Sequence, residues 1–335
     1  MRLLTHDTVQ RVWSVEVRPH APVLRCFHGS CPGEALAAGG AQSVALRHLA
    51  RHARSGALPT HLRTCQCRDR GCTWHRRHRG CHGPVRLALT GDRGGARWRL
   101  ADVCTACAAL TPHTALVPEN TGASPGTRPP SRRPSAASAP QVVCRHADAR
   151  ARVREMLAYL ATALPRFCSP GARLLALQCA LRANGSGEVC LPYGLLRGLH
   201  VHQRAELWDE LEYAGWLRRS AYPCPVQVRL LEAAMQDFPS RHQRARAAHW
   251  AMRPLLRPLP RTLPGSVQLT ALSLAAHTRP DGAGLLGMNV LTHLCGQTPE
   301  QLGDLLDRMT SSQLLVSWRQ ARPEDDVIWR LPGPG

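Results

Sequence analysis

The second half of the chain carries a helical repeat of apolar residues. Between positions 153 and 164 apolar side chains recur at intervals of three and four, which places them on one face of a helix. These residues are Val153, Met156, Leu157, Leu160, Ala161 and Leu164. Pro165 ends this helix, and the pattern predicts a second helix over about 171–183, closed by a turn at Asn184-Gly185.

The following stretch, 187–220, mixes extended and helical patterns. It predicts a short strand, a helix from Pro192, a tight turn around Gly198 and a second helix over about 202–214. The apolar face of that second helix consists of Leu207, Trp208 and Leu211. A glycine then ends the helix, and a strand begins at Trp216.

A related order of elements returns 98 residues later. A predicted helix over 267–277 precedes a short extended stretch, a short helix and a strong helix start. Thr298 supplies the N-cap hydroxyl, Pro299 stands at the first helical position, and Gln301 completes a capping box. The apolar stripe of this helix consists of Leu302, Leu305, Leu306 and Met309. The segments LLVSW and VIWRL then form a predicted hairpin.

The chain therefore contains one predicted order of elements twice: helix, short strand, helix, turn, helix and two-stranded wing. This order resembles winged helix-turn-helix DNA-binding proteins over roughly residues 147–222 and 265–332. The chain also resembles actinobacterial-type regulators that pair a Cys/His-rich front half with such domains. In this family base edges are read from the start of the second helix of the motif, and the wing touches the backbone. The resemblance implies DNA contacts at His202, Gln203, Arg204, Arg218 and Arg219.

The division into domains follows from a change in composition. Residues 117–143 are rich in Pro, Ser, Ala and Gly without apolar periodicity, so we expect a flexible linker. The predicted fold is α+β, mainly α. A Cys/His-rich zinc-binding module over 1–116 precedes tandem winged-helix domains. The first of these, over 144–262, includes a basic helical connector, and the second covers 263–335.

The N-terminal half contains pairs of metal-binding side chains at short spacings. Cys26 and Cys31, followed by His48 and His52 one helical turn apart, are similar to a two-cysteine, two-histidine zinc finger. The intervening loop has 16 residues, where about twelve are usual, and the usual aromatic is missing. His28 and His61 are alternative ligands, and stacked histidines on an amphipathic helix are the structural alternative.

The segment 65–107 resembles a zinc ribbon in outline, with a predicted hairpin over 85–89 and 96–103. One site takes Cys65, Cys67, Cys104 and Cys107. Another takes Cys72, His75, Cys81 and either His78 or His82. Other pairings fit the spacing equally well, and an iron–sulfur cluster is a minor alternative. We expect two or three structural Zn²⁺ ions.

The charge is large and uneven. The net charge is +20, and all 43 basic residues are arginine, as a GC-rich coding sequence favours. Residues 1–140 carry +13, residues 141–262 carry +9, and residues 263–335 carry −2. The first two parts suit a polyanion. The basic connector adds Arg241, Arg244 and Arg246 as candidate DNA contacts.

The same patterns bear on compartment and function. Neither a signal peptide nor an apolar run of about 18 residues is present, so we expect a cytoplasmic, nucleoid-associated protein without membrane contact. No enzyme motif is present, and the prediction is a non-enzymatic transcriptional regulator that binds double-stranded DNA. The alternatives are a replication or maintenance protein of a mobile element, and a zinc-organised adaptor without DNA binding. The acidic second winged helix suits a homodimer or a protein partner.

Overall fold

A computed structural model describes most of the chain. The described residues are 11–17, 23–29, 31, 34–35, 41–56, 58, 63–67, 81, 83–92, 94–117, 139–198, 201, 204–220, 226–231, 241–252, 263–320 and 326–332, with the backbone alone at 34–35, 139–148, 198 and 241. Helices and sheets both contribute, so the predicted combination of helices and strands is confirmed.

The N-terminal part forms a six-stranded antiparallel sheet in the order β3-β2-β1-β5-β4-β6. Its strands are β1 (Val12–Val17), β2 (Val23–Cys26), β3 (Glu34–Ala35), β4 (Val85–Gly91), β5 (Arg97–Cys104) and β6 (Thr114–Leu116). Helix α1 (Ala41–Ser55) and helix α2 (Thr105–Leu110) accompany them. The β4–β5 pair is the hairpin that the sequence predicted; β4 extends two residues further than predicted, and β5 is shifted by one residue at equal length.

Alternation along the strands gives the sheet one apolar inner face. Trp13, Val15, Leu89, Trp98 and Leu100 lie on it and are almost fully buried. Helix α1 and the long helix α3 (Ala139–Ala163) pack against the sheet. Because of this packing, the inner face and the helices of the C-terminal half share one hydrophobic core.

An ion pair reinforces the contact between sheet and helix. The Arg86 guanidinium on β4 lies 2.7 Å from the Glu155 carboxylate on α3, and it also donates to the Val117 carbonyl at 3.2 Å. Gln42 at the start of α1 donates to the carbonyl oxygens of Thr162 and Ala163 at the end of α3. The Cys/His-rich part is therefore bound to α3 by side chains as well as by apolar packing.

The C-terminal half contains the predicted order of elements twice. The first set is α4 (Pro170–Ala180), β7 (Glu188–Leu191), α5 (Tyr193–Gly198), α6 (Ala205–Tyr213), β8 (Leu217–Arg219) and β9 (Val226–Leu230). Helix α7 (Arg241–Met252) follows. The second set is α8 (Gly265–His277), β10 (Ala283–Gly287), α9 (Met288–Cys295), α10 (Pro299–Ser311), β11 (Ser317–Arg319) and β12 (Asp326–Arg330). The three strands of each set form one sheet, in which the last strand of the set lies between the other two.

Equivalent hydrogen bonds show that the two sets are a structural repeat. The Leu230 N–H donates to Gly187 at 2.8 Å, and the Leu331 N–H donates to Gly282 at 2.9 Å. Both glycines precede the first strand and have φ of 80° and 83°, a conformation that glycine adopts without steric cost. The same backbone turn therefore sets the start of each small sheet.

The helix starts were predictable from capping residues. The Thr298 hydroxyl accepts from the Gln301 N–H, and the Gln301 side chain accepts from the Thr298 N–H, so the predicted capping box of α10 is confirmed. Ser169 caps α4 in the same way, with a proline next to it. These local bonds fix where each helix begins.

The equivalent first helices of the two sets pack against each other. A Cβ placed on Gly265 at the start of α8 would come within 2.8 Å of the Gly171 Cα on α4, so only glycine allows this approach. Arg173 on α4 is buried next to this contact and donates to the carbonyl oxygens of Pro165 and Cys168. Its side chain also lies against Gly296 at the end of α9, which links the two sets.

The end of the predicted linker differs from the structure. Helix α3 begins at Ala139, inside the segment 117–143 that was predicted to be a linker. After Pro140 the sequence QVVCRHADAR contains no proline or glycine, and a proline in the first turn of a helix is tolerated. The rest of the predicted linker from 118 onward lies outside the described residues. The predicted basic connector is helix α7, which packs on α3 through Ala247, Ala248 and Ala251.

A partly buried histidine makes the stability of this assembly depend on pH. Burial, and then the charges of His113, Arg173 and Arg166, lower the pKa of His293 from 6.5 to about 4. The folded state binds this proton less readily than the unfolded state, so the stabilising contribution is complete above pH 6.5 and is lost towards pH 4. When the pH is lowered from 6.5 to 4, we expect the free energy of unfolding to fall less in His293→Gln than in the wild type. Urea unfolding at a series of pH values measures this.

The exposed histidine of α7 provides the control for this experiment, since His249→Gln should follow the wild-type curve. Subtracting the wild-type curve of unfolding free energy against pH from that of each variant removes the acid sensitivity that all three proteins share. A wild-type and a His293→Gln curve with the same slope between pH 6.5 and 4 would contradict the assignment.

Candidate metal centres

The first cluster forms where strand β2 meets helix α1. Cys26 is the last residue of β2, and the Cys31 N–H donates to the His28 carbonyl at 2.9 Å, which turns the chain back. Helix α1 presents His48 and His52 from one face because they are four residues apart. The sequence therefore brings four ligand side chains together with one turn and one helix.

The distances between these ligand atoms are those of a metal site. Cys26 Sγ lies 3.4 Å from His52 Nε2, and Cys31 Sγ lies 3.4 Å from His48 Nε2. The two Nε2 atoms are 3.2 Å apart, and all four ligand atoms lie within 4.8 Å of one another. Zinc–sulfur and zinc–nitrogen bonds of about 2.3 and 2.0 Å give tetrahedral edges of about 3.5 Å for S–N and 3.3 Å for N–N. This group can therefore bind zinc.

The electrostatics of the first cluster favour a cation at its centre. Burial raises the pKa of the Cys26 thiol, and the neighbouring Cys31 adds to the increase. Burial, and then His48, His28 and Arg51, lower the pKa of His52. Neutral imidazole is the form that binds metal, and thiolates this close together need a positive charge between them. The four side chains could therefore hold a divalent ion.

The second cluster lies at the end of the β4–β5 hairpin. Cys104 ends β5 and caps α2, and its Sγ accepts the Cys107 N–H at 3.4 Å. Cys65 Sγ accepts the Cys104 N–H at 3.2 Å. Ligand atoms of Cys65, Cys81, Cys104 and Cys107 all lie within 4.8 Å of one another, so this group can also bind zinc.

A fifth thiol borders this second cluster. Cys67 Sγ lies 3.6 Å from Cys81 Sγ, and Cys81 Sγ lies 4.0 Å from Cys107 Sγ. Both distances are close to the roughly 3.8 Å edge of a tetrahedral zinc–thiolate site. A zinc ion needs four ligands, so Cys67 is either a neighbour of the bound quartet or an alternative member of it.

The thiols of the second cluster differ in how readily they ionise. Burial raises the pKa of Cys65, but bonds from the Cys104 and Cys67 N–H groups outweigh it and lower the value overall. Burial, together with bonds to Cys65 and Cys67, raises the pKa of Cys81 to about 12. Burial likewise raises the pKa of Cys107. A bound metal ion would favour the thiolate forms of Cys81 and Cys107, because thiolate sulfur is the form that coordinates the ion.

Comparison with protein-family models, with curated proteins and with solved structures gave no match.

The assignment of Cys81 changes with the structure. The sequence analysis placed it in a separate site with Cys72 and His75, but its thiol joins Cys65, Cys104 and Cys107 instead. Pairing of Val85 with Cys104 explains this, because residues just before β4 must then lie beside those just after β5. The hairpin register was the signal that could have placed Cys81 correctly. The other proposed ligands, Cys72, His75, His78, His82 and His61, lie outside the described residues.

The candidate DNA contacts have different surroundings. Arg204 is exposed at the N-cap of α6 and forms an ion pair with Glu206 at 2.6 Å. Arg218 is exposed, whereas Arg219 binds the carboxylates of Asp209 and Glu212 on α6. The side chains of Arg244 and Arg246 on α7 are half-buried. His202 and Gln203 lie outside the described residues, and of Arg241 only the backbone is described.

The remaining cysteines divide by burial. Cys168, Cys179 and Cys295 are buried among apolar residues, as expected of small hydrophobic side chains. Cys190 on β7 is exposed, contrary to that expectation, because it lies on the outer face of the small sheet. The described cysteines form no disulfide.

None of the helices in the described parts of the chain is sufficiently long and apolar to cross a bilayer.

The two clusters predict separable losses of metal. We expect the purified wild type to hold two zinc ions per chain, and Cys107→Ser or His48→Gln to hold one, as counted by elemental analysis of dialysed protein. Each loss should lower the free energy of unfolding by several kcal/mol, since binding of a structural zinc ion contributes to folding.

Cys190→Ser is the matched control, because this exposed thiol lies outside both clusters. It should keep both ions and wild-type stability. Cys67→Ser decides the role of the fifth thiol, since retention of two ions would assign it as a neighbour. Unchanged metal content in Cys107→Ser and His48→Gln would refute both centres.

Proposed function

We propose that this chain is a zinc-stabilised DNA-binding protein, a transcriptional regulator with two winged helix-turn-helix units. The observation that carries the proposal is the repeated order of helix, strand, helix, helix and two strands, each with the last strand in the middle of its sheet. This is the topology in which a helix is presented to the major groove and a hairpin to the backbone. The net charge of +9 on residues 141–262 suits the polyanionic partner.

In the first unit helix α6 is the candidate recognition helix. Leu207, Trp208 and Leu211 hold it against the core, so its opposite face is turned outward. That outer face carries Glu206 and Asp209 in its first two turns, which disfavours phosphate along most of the helix. The cation at its start is Arg204, and we assign DNA contact to this end of the helix.

The first strand of the wing, β8, carries two arginines with different surroundings. Arg219 donates to Glu212 at 2.8 Å and to Asp209 at 2.6 Å, so it joins the wing to α6. These ion pairs raise the pKa of Arg219 and lower that of Glu212, which favours the paired charges. Arg218 points to the other face of the strand and is exposed, and we assign the phosphate contact to it. Arg219 then acts by positioning the wing.

The second unit suits a protein partner better than DNA. Its helix α10 exposes Glu300, Asp304 and Asp307, which would repel phosphate. Leu285, Val290 and Val316 are exposed in the same unit. We therefore propose that this unit mediates contact with a second copy or another protein. An adaptor that uses this surface without DNA is the second candidate function, and a replication or maintenance role for a mobile element would use the same DNA-binding parts.

The proposal predicts salt-dependent binding to duplex DNA. We expect the affinity for a 30-base-pair duplex, measured by fluorescence anisotropy, to fall steeply as the salt concentration rises. Arg204→Glu should weaken binding roughly tenfold or more and make the logarithmic salt dependence shallower by about one unit, because a cation at the DNA is replaced by an anion.

Arg308→Glu makes the same charge change on the exposed face of α10 and serves as the matched control. It should leave duplex affinity close to that of the wild type. If Arg204→Glu and Arg308→Glu bind equally well, the first unit does not contact DNA as proposed. An affinity that does not change with salt would reject DNA binding and favour the adaptor.

A further inference from the structure

The outer face of the N-terminal sheet carries an exposed aromatic ring. Residues 23–27 alternate, so Leu24 and Cys26 point inward while Val23, Arg25 and Phe27 point outward. Phe27 is 51% exposed, and the Arg25 guanidinium lies 5.0 Å from the centre of its ring. The Arg25 cation lies over the ring, so the two side chains form an exposed pair that is both aromatic and cationic.

Polar side chains continue across the strands from this ring. The Phe27 N–H bonds to the Ser14 carbonyl, and Ser14 pairs with Arg99 on the next strand. Arg99 pairs with Thr90 on the same face, where the Arg99 guanidinium donates to the Gln66 carbonyl at 2.9 Å and the Thr90 hydroxyl bonds to that of Thr114. A cavity of about 360 Å³ opens beside Phe27 and is lined by Ser14, Val15, Phe27, Arg97 and Trp98.

The neighbouring row adds positive charge. Arg25, Glu16 and Arg97 lie opposite one another on three adjacent strands. Arg97 donates two hydrogen bonds to Glu16, at 2.9 and 2.8 Å, so one carboxylate stands between two guanidinium groups. The row therefore has a net positive charge next to a flat aromatic surface, within a region of the chain that carries +13.

The first metal centre makes this surface rigid. Cys26 lies between Arg25 and Phe27 in sequence, and its thiol reaches the opposite face, where it joins the Cys/His cluster. A metal ion bound there would fix the end of β2. Arg25 and Phe27 would then be ordered before a ligand arrives, and ligand binding would not incur the entropic cost of ordering them.

We propose that this outer face binds single-stranded DNA, with one base stacked on Phe27 and the flanking phosphates at Arg25 and Arg97. The ligand must combine flat apolar rings with negative charge, and unpaired bases on a phosphate backbone do so. Duplex DNA keeps its bases stacked and cannot offer one to the ring. The choice of DNA over RNA rests on the proposed function, whereas the stacking surface stands on its own contacts.

The test is binding of a fluorescein-labelled 12-mer of oligodeoxythymidine to the full-length protein, followed by anisotropy. We expect Phe27→Ala to bind about tenfold more weakly, the loss of one base stack. Phe27→Trp should bind like the wild type, because indole also stacks. Arg25→Glu should lose affinity and salt dependence while leaving the exposed ring in place.

Phe167→Ala is the matched control, since Phe167 is 54% exposed but lies before α4, on another element. It should bind the 12-mer like the wild type, and Phe27→Ala should keep two zinc ions and wild-type duplex affinity. Equal 12-mer affinity in Phe27→Ala and the wild type would overturn the proposal, and tighter binding of oligouridine would overturn the choice of DNA. Failure of the proposed function would give a different result: neither the wild type nor Phe27→Ala would bind duplex DNA.

Discussion

The close approach of ligand atoms in two clusters is the constraint on which the N-terminal half depends. Four thiols in one cluster, and two thiols with two imidazoles in the other, lie within 4.8 Å of one another. Thiolates at such distances repel unless a cation lies between them, and zinc satisfies that condition with the distances observed. One cluster fastens β2 to α1, and the other fastens the loop at 65–67 and the start of β4 to the end of β5. Each connection joins residues that lie far apart in sequence, such as Cys26 with His52 and Cys65 with Cys104.

The dependence extends to the C-terminal half through shared packing. Trp13 and Trp98 of the sheet lie in the same core as Tyr159 and Leu160 of α3. Arg86 and Glu155 add an ion pair at that boundary. Helix α3 in turn packs against α4, α7 and α8, so it transmits the arrangement of the sheet to both repeated units. Loss of the metal centres should therefore disturb more than the segment that contains them.

Sequence reasoning succeeded where the signals were local. The capping box at Thr298 and the stripe of α10 each lie within one helix, and the repeat followed from such elements. It was less complete in the N-terminal sheet, because pairing of β1 with β5 joins residues such as Val12 and Ala101. No local periodicity encodes that pairing. The first cluster was predicted because its ligands lie on one turn and one helix, whereas Cys81 was misplaced because its partners depend on hairpin register. The extension of α3 into the predicted linker was missed because its first turns lack an apolar stripe.

The two repeated units share a backbone and differ in surface chemistry. In the first unit Arg204 and Arg218 are exposed, and Arg219 is bound to carboxylates of α6, whose outer face also carries Glu206 and Asp209. In the second unit the equivalent helix α10 exposes Glu300, Asp304 and Asp307. The shared turns at Gly187 and Gly282 show that this difference was built on one framework. The proposed division between a DNA-facing and a protein-facing unit would account for both surfaces, and it fits the net charges of +9 on residues 141–262 and −2 on residues 263–335.

X-ray absorption at the zinc edge of the native protein tests the central claim most directly. Two sulfur and two nitrogen ligands at one ion, with four sulfur ligands at the other, average to three sulfurs and one nitrogen per zinc. We predict a spectrum fitted by three sulfur atoms at about 2.3 Å and one nitrogen at about 2.0 Å. A first shell dominated by oxygen, or folded protein that contains no zinc, would contradict the account.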